Sequence, residues 1–529
     1  MKHLANRVGA KRRRLPRAGI ALALGAAAAL VLSACAGGST TPTGSSDGRA
    51  DELVIGMGAP SSLDPSGASF NVPGYYINFA YDSLIHWTND NTMEPGLATE
   101  WKYTDDENKV FQLTIRSGVK FADGEDLTAQ AVADSINYFK TGTGPTAGSY
   151  TQMTAAATGD LQVTVTSEVS NPNMEQLFSQ FYLGGDIIAP EGIKDPSKLT
   201  SQSYGAGPYT LDPSQTVASD HYTYVANDTY WDQSAIHFDK VVIKVYDDEN
   251  AGLAAVQTGA VDVYTGGSST TIDAAKSAGL NVMGGTAYWN GLQLTDQQGK
   301  IVPALADQRV RQALSYAIDR ATVAKAVLGD DAVPIEQPAL PGQAGYEESL
   351  NSTYPYDVDK AKSLLAAAGY PDGFTIPVTV LSGTWLERLM QAVDGQLQKI
   401  GVSLEFVPAA NIGEFLGNLS SGKVAAFDIP ISTTSLYSTY GQNWKENANL
   451  NGNNEVDAQL KSLVDTAAAT PSADADPAWQ AVNEYLVDQA YTIPVAASYQ
   501  YYYLATDIQG AALNASTALM DPLLLTKSN

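Results

Sequence analysis

Residues able to do chemistry are plentiful in this 529-residue chain, yet few stand at the spacings that chemistry requires. Gly417-Asn-Leu-Ser-Ser-Gly422-Lys423 nearly spells a phosphate-binding loop. That motif needs Ser or Thr after the lysine to reach Mg²⁺, and a strand before it. Here Val424 follows, and Glu414-Phe415-Leu416 reads as helix, so nucleotide chemistry is not expected. The four histidines, His3, His86, His221 and His237, offer no i, i+4 pair and no metal-ligand spacing. A serine triad has no Gly-x-Ser-x-Gly turn to stand on. Among 57 acidic residues close pairs are inevitable, so pairing alone is no signal for glycoside hydrolysis by two carboxylates. With Cys35 the single cysteine, thiolate metal clusters and redox pairs are excluded, and an exported chain folds without disulfides. Neither metal nor cofactor is expected.

The aromatics carry more promise. Twenty-eight Tyr and seven Trp suit a cleft that stacks on flat ligand faces. Tyr288-Trp289-Asn290 and Trp385 are candidate ligand contacts. Arg388, one turn beyond Trp385, could pair with a carboxylate. Asp307, Arg309, Arg311, Asp319 and Arg320 read instead as caps and intrahelical pairs, each worth a few tenths of a kcal/mol.

Alternating strand and helix signals position these residues and indicate an α/β protein of more than one lobe. Phe111, Leu113 and Ile115 alternate with polar residues as a half-buried strand does. So do Val241, Ile243 and Val245, and Val402, Leu404 and Phe406. Leu386, Leu389, Met390, Val393, Leu397 and Ile400 have helical spacing, with Gly401 as the stop. Asp357 to Ala368 is a second helix, capped by Asp357 and closed by Gly369. Val310, Ala313, Leu314, Ala317 and Ile318 make Asp307–Arg320 one amphipathic helix. From Asn451 to Gln489, Ala-rich helix alternates with Pro-bearing turns.

Lys2, Arg7, Lys11, Arg12, Arg13, Arg14 and Arg17 form a basic start, followed by a 13-residue apolar run from Ile20 to Leu32. A bilayer span needs about 20 residues, so 1–34 reads as a secretion signal. Leu32-Ser-Ala-Cys35 resembles a bacterial lipobox, in which the cysteine is acylated. Residues 35–50 then form a Gly/Ser/Thr/Pro tether of roughly 20 Å reach, and two acyl chains suffice for stable anchoring at the outer face of the cell membrane. Net charge is −26, and −33 with the seven cations before Cys35 set aside. Nucleic acid, which needs a basic footprint, is excluded as a partner.

One ordered series of motifs resembles the extracytoplasmic solute-binding proteins of family 5, the capturing subunits of ABC importers for peptides, nickel and oligosaccharides. It comprises Ser62-Leu-Asp-Pro65, Tyr81-Asp-Ser-Leu84, Glu94-Pro-Gly-Leu-Ala-Thr-Glu-Trp101, Phe111 to Gly124, Gly205-Ala-Gly-Pro-Tyr209, Asn227-Asp-Thr-Tyr-Trp231 and Gly259-Ala-Val-Asp262. Asp307 to Arg320 and Lys360 to Tyr370 complete it. The resemblance implies an α/β, two-lobe periplasmic-binding-protein clamshell with an additional domain, of the cluster C type. Lobe I would comprise 51–84, 203–288 and 495–529, the extra domain 85–202 and lobe II 289–494, with a hinge near Trp289 and Pro494. It further implies a monomer that delivers its solute to ABC permease subunits. Peptide-binding relatives carry Trp and Asp in the segment matching Phe427–Trp444, and that Asp meets the peptide amine. Here Ser432, Thr433, Thr434 and Ser435 stand instead, and Asp428 reads as part of the preceding strand. Thr433, Thr434, Ser435, Tyr437 and Trp444 therefore join the candidate contacts, and an oligosaccharide is expected ahead of a peptide. The rival readings are an exported enzyme and a sensor or adhesion lipoprotein on the same fold.

Overall fold

The computed structural model describes residues 49–68, 72–144, 146–329, 332–431, 434–471 and 474–528. The signal, Cys35, nearly all of the tether and Thr433 lie outside the described residues. Ala50, assigned above to the tether, instead opens the first strand.

One sheet of eleven strands runs through the molecule in the order β15-β14-β16-β12-β17-β11-β1-β10-β9-β8, with β13 also on β17. In chain order these are β1 (Ala50–Met57), β8 (Tyr209–Leu211), β9 (His221–Ala226), β10 (Phe238–Val245), β11 (Val263–Gly267), β12 (Asn281–Leu294), β13 (Val333–Pro334), β14 (Thr375–Leu381), β15 (Ser403–Ala409), β16 (Ala426–Phe427) and β17 (Thr492–Leu504). At one end β1 pairs in parallel with β10 and β11. At the other, β14 pairs in parallel with β15 and β16. The long antiparallel pair β12–β17 joins the two ends, from Asn281 opposite Leu504 to Gln293 opposite Thr492.

A second, antiparallel sheet has the order β4 (Ala98–Tyr103), β5 (Val110–Ile115), β7 (Gln162–Ser167), β6 (Met153–Gly159). In β5 every second residue is buried, as the alternation of Phe111, Leu113 and Ile115 requires. Two short pairs, β2 (Ile85–Trp87) with β3 (Met93–Pro95) and β18 (Ile508–Gln509) with β19 (Thr526–Lys527), complete the described strands.

The first half of the chain carries helices α1 (Tyr75–Asn78), α2 (Ala129–Phe139), α3 (Met174–Leu177), α4 (Pro190–Lys194), α5 (Glu249–Gln257) and α6 (Ile272–Ser277). The second carries α7 (Gln308–Tyr316), α8 (Arg320–Leu328), α9 (Val358–Ala367), α10 (Trp385–Leu397), α11 (Ile412–Ser420), α12 (Leu436–Asn443), α13 (Ala458–Ala469) and α14 (Asp476–Gln489). Asp357 caps α9 through Lys360 N, and Gly369 takes the left-handed conformation after it. The near-phosphate-loop falls in α11 and the turn after it.

Asp307–Arg320 is two helices rather than one. Asp307 caps α7 by accepting from Arg309 N, and α7 ends at Tyr316. Asp319 then accepts from Thr322 N and starts α8. Arg311 and Arg320 are not intrahelical partners either. Arg311 is buried and donates to the Leu305 and Gln489 carbonyls at 2.7 and 2.8 Å. Arg320 is buried and donates to the Pro494 carbonyl at 2.8 Å, with Glu336 at 3.7 Å.

Two large cores divide the molecule. One gathers Ile55, Phe111, Val163, Val241 and Tyr502, and so runs without a break from the first end of the main sheet into the four-stranded sheet. The other gathers Leu292, Val310, Val378, Val393 and Ile493. Thus β12 and β17 pass from one core to the other. Their pairing slips between Thr286 and Tyr288 and again between Asn290 and Gly291, in the stretch between the cores. There the strands approach so closely that a Cβ on Gly291 would lie 2.2 Å from the Ile493 carbonyl oxygen, which leaves glycine as the residue that fits.

Candidate functional site

The stretch of β12 and β17 between the two cores concentrates polar atoms that the protein does not satisfy. Trp289 is fully buried and packs with Ile335, Leu340, Ile431 and Ala497 in a small cluster separate from both large cores. Its backbone exchanges two hydrogen bonds with Ile431, which carries the chain from β16 alongside β12. Its indole Nε1–H has no partner among the described residues, nor do Asn290 Oδ1, Gln293 Oε1, Asp428 Oδ2 and Thr492 Oγ1. Buried polar atoms are normally paired, since each orphan costs about 1–3 kcal/mol. Other orphaned atoms are scattered through the protein, for example on Asn89, Asp186 and Asn483. Five on three neighbouring segments, at the junction of two cores, make this stretch, here called the floor, the candidate site.

The other half of each group is held firmly. Asn290 Nδ2 donates to Ser498 Oγ at 2.9 Å. Gln293 Nε2 donates to the Ile429 carbonyl at 3.3 Å. Asp428 accepts from Gly291 N at 3.2 Å through Oδ1, which braces the second slip in the strand pairing. Complete burial pushes the Asp428 carboxyl up to about 8, with the Gly291 N–H pulling slightly the other way. At neutral pH Asp428 is therefore chiefly a neutral carboxylic acid, able to donate as well as accept. Asp428 follows β16 by one residue, and reading it as a strand residue hid this role.

Tyr288 is half-buried beside this floor, and burial raises its phenol above the usual range. The remaining expected contacts divide. Trp385 opens α10 and is half-buried against the second core and the Ala324–Leu328–Ala496 cluster, so it wedges α10 and α8 against β17. Arg388 is exposed, with no hydrogen bond or ion pair among the described residues. Trp444 is not an open stacking face: it ends α12 and is buried with Leu460, Val464 and Trp479 among α12, α13 and α14.

The described part of the hydroxyl-rich segment, Thr434 and Ser435, is hydrogen-bonded to the protein itself. Thr434 is buried, and its hydroxyl pairs with the Tyr182 hydroxyl. Ser435 caps α12 by accepting from Ser438 N, and also accepts from Asn173 Nδ2 at 2.8 Å. The Tyr437 hydroxyl donates to the Ser170 carbonyl at 2.8 Å. These partners lie some 250 residues earlier, and no local pattern announces them.

Three further features bear on chemistry. Among the described residues no group of three or more His, Cys, Asp and Glu side chains has the geometry to hold a metal ion. A cavity of about 400 Å³ lies between α2 and α4, lined by Asp134, Asn137, Tyr138, Pro190, Ile193 and Lys194, and shares no residue with the floor. His86 pairs with Asp82 at 2.7 Å. Asp82 also accepts from Tyr230 and Trp231, which marks it as a structural anchor rather than a general base.

Comparison with known proteins places these observations in a lineage. The model of the bacterial extracellular solute-binding proteins, family 5 Middle, matches residues 92–456. Heme-binding protein A of Haemophilus influenzae is 27% identical over 426 residues, covering 71% of this chain and 74% of the relative. The glutathione-binding protein GsiB of Salmonella paratyphi A is 25% identical over 370 residues, covering 67% and 68%. Among solved structures, the periplasmic binding protein DppA of Helicobacter pylori, in complex with the peptide STSA, superposes with a TM-score of 0.73. It shares 20% identity, covering 91% of this chain and 99% of that one, and so shares the fold.

Proposed function

The chain belongs to the bacterial extracellular solute-binding proteins of family 5, and from that premise we propose that it captures a peptide or peptide-derived solute between two lobes and hands it to the permease of an ABC importer. The observation that carries the reading is the floor. Trp289 Nε1–H offers a donor, Asn290 Oδ1 and Gln293 Oε1 offer acceptors, and the protonated Asp428 offers either. Amide N–H and C=O groups complement such a set. Relatives that bind glutathione and the peptide STSA fit it as well.

Lobe I is assigned to 51–84, 203–288 and 495–529, the extra domain to 85–202 and lobe II to 289–494. The passage of β12 and β17 between two cores supports a hinge near Trp289 and Pro494. Solute that contacts both lobes only when they are closed stabilises that state. Acylated Cys35 would hold the monomer at the outer face of the membrane, and Cys35→Ala is expected to release it into the medium.

An oligosaccharide is the second reading. It was favoured by free hydroxyls in the 432–435 segment, and the pairing of Thr434 and Ser435 with Tyr182 and Asn173 weakens that argument. Thermal-shift assays against di- to pentapeptides, glutathione, heme and oligosaccharides separate the readings. Stabilisation by the peptide class is expected; stabilisation by oligosaccharides alone would reverse the assignment.

A further inference from the structure

Besides an exposed bond from Lys445 Nζ to Gln152 Oε1 at 3.2 Å, buried or part-buried hydrogen bonds join the extra domain directly to lobe II at two places. At the first, the Tyr182 hydroxyl meets the Thr434 hydroxyl, Asn173 Nδ2 donates to Ser435 Oγ at 2.8 Å, and Tyr437 donates to the Ser170 carbonyl at 2.8 Å. Tyr182 and Thr434 are 6% and 7% exposed, so these bonds are shielded from water, which strengthens them. At the second, the β4–β5 turn presents Asn108, 4% exposed and in a left-handed conformation. Asn108 Nδ2 donates to the carbonyls of Ala468 and Thr470 at 2.8 and 3.0 Å. Thr470 is the C-cap of α13, where carbonyls lack intrahelical donors. A side chain of one domain thus caps a helix of the other.

These contacts need no solute. The groups on one side belong to segments packed on the first core, and those on the other to the cluster of α12, α13 and α14. If the lobes swing about β12 and β17, as proposed above, both contacts must break on opening and form on closing. We propose that the extra domain is a clasp: its hydrogen bonds to the start of α12 and the end of α13 hold part of the protein closed before solute arrives. The solute then binds a state that is already populated, and its apparent affinity scales with the fraction closed. Residues that never touch the solute thereby set how tightly it is held.

The test is a distance measurement on the solute-free protein. Spin labels are placed on Asp160→Cys, at the exposed β6–β7 turn, and Lys461→Cys, on the exposed face of α13, in the full chain carrying Cys35→Ser. The expected result is a short-distance population without added solute. Tyr182→Phe and Thr434→Val should each lower the closed-to-open ratio about fivefold, the effect of one net hydrogen bond, and Asn108→Ala, which removes two, should lower it further. Tyr182→Phe combined with Thr434→Val should cost less than the sum of the two, because they share the Tyr182–Thr434 bond, while each also loses a longer contact of its own, to Ser438 and to Gln176, at 3.4 Å. Each change is near-isosteric or on a turn, and unchanged far-ultraviolet circular dichroism confirms folding. Ser435→Ala is avoided because it also removes the α12 cap. A single long-distance population in the solute-free protein would overturn the clasp, as would a short-distance population that none of the substitutions changes. Because no solute is added, failure here leaves the assignment of the ligand class standing.

Discussion

Two polar regions lie where the cores of this protein meet, and they are built oppositely. In the proposed clasp, every hydroxyl and amide singled out above finds a partner between segments packed on the first core and the start of α12 or end of α13. In the floor, Trp289, Asn290, Gln293, Asp428 and Thr492 each keep one buried polar atom without a partner among the described residues. Fully satisfied polar groups stabilise the arrangement that satisfies them. Unsatisfied ones destabilise the protein and favour whatever molecule can complete them. On the proposed reading, one region holds the lobes together and the other chooses what is held between them.

The strongest way to break this contrast is through Asp428. Its carboxyl stands at about 8 in the folded protein, against an ordinary 3.8. The folded state therefore holds its proton where the unfolded chain releases it, and stability from this group falls as pH rises from about 4 to 8. Asp428→Asn keeps the acceptor for Gly291 N and cannot ionise. Above pH 8 it should be more stable than the parent by several kcal/mol, with the difference fading towards pH 4. Melting curves across that range check this; parallel pH profiles would place Asp428 in a solvated, ordinary environment.

Solute affinity sharpens the contrast next. Trp289→Phe removes one orphaned donor at modest loss of volume, so stability should change by about 1 kcal/mol or less. Solute affinity should fall about tenfold. The clasp variant Thr434→Val behaves in reverse: it should cost about 1 kcal/mol of the solute-free closed form and weaken affinity only through closure. Scattering profiles alongside calorimetry distinguish the two. The smallest effect belongs to Arg388→Ala. Exposed and unpaired, Arg388 should change both stability and affinity by less than about 0.5 kcal/mol, and a large loss of affinity would move the site towards α10.

Much of the framework was readable from the chain because its signals are local. The α9 cap at Asp357, the stop at Gly401 and the alternation in β5 each depend on residues within one turn or strand, whereas in β10 Val242 is buried along with Val241 and Ile243 and Val245 only half so. The break between α7 and α8 was not, because Asp319-Arg320 contains no glycine or proline and continues the helical pattern. Reading through it made Arg320 an intrahelical partner, whereas it reaches the Pro494 carbonyl 174 residues away. The site fared similarly. Trp289 and Asn290 were reachable from their place at the expected hinge. Asp428 was passed over because its chemistry comes from burial, which a strand pattern does not disclose. Thr434, Ser435 and Tyr437 looked available because their partners, Tyr182, Asn173 and Ser170, lie more than 250 residues earlier in the chain.

The central claim is that a peptide-class solute completes the floor between the two cores. Titration calorimetry of the parent and of Trp289→Phe, with the peptide-class compound that gives the largest thermal shift, tests it most directly. The account expects binding to the parent, an affinity about tenfold weaker in Trp289→Phe, and closely similar melting temperatures for the two solute-free proteins. Equal affinities for parent and variant would contradict it.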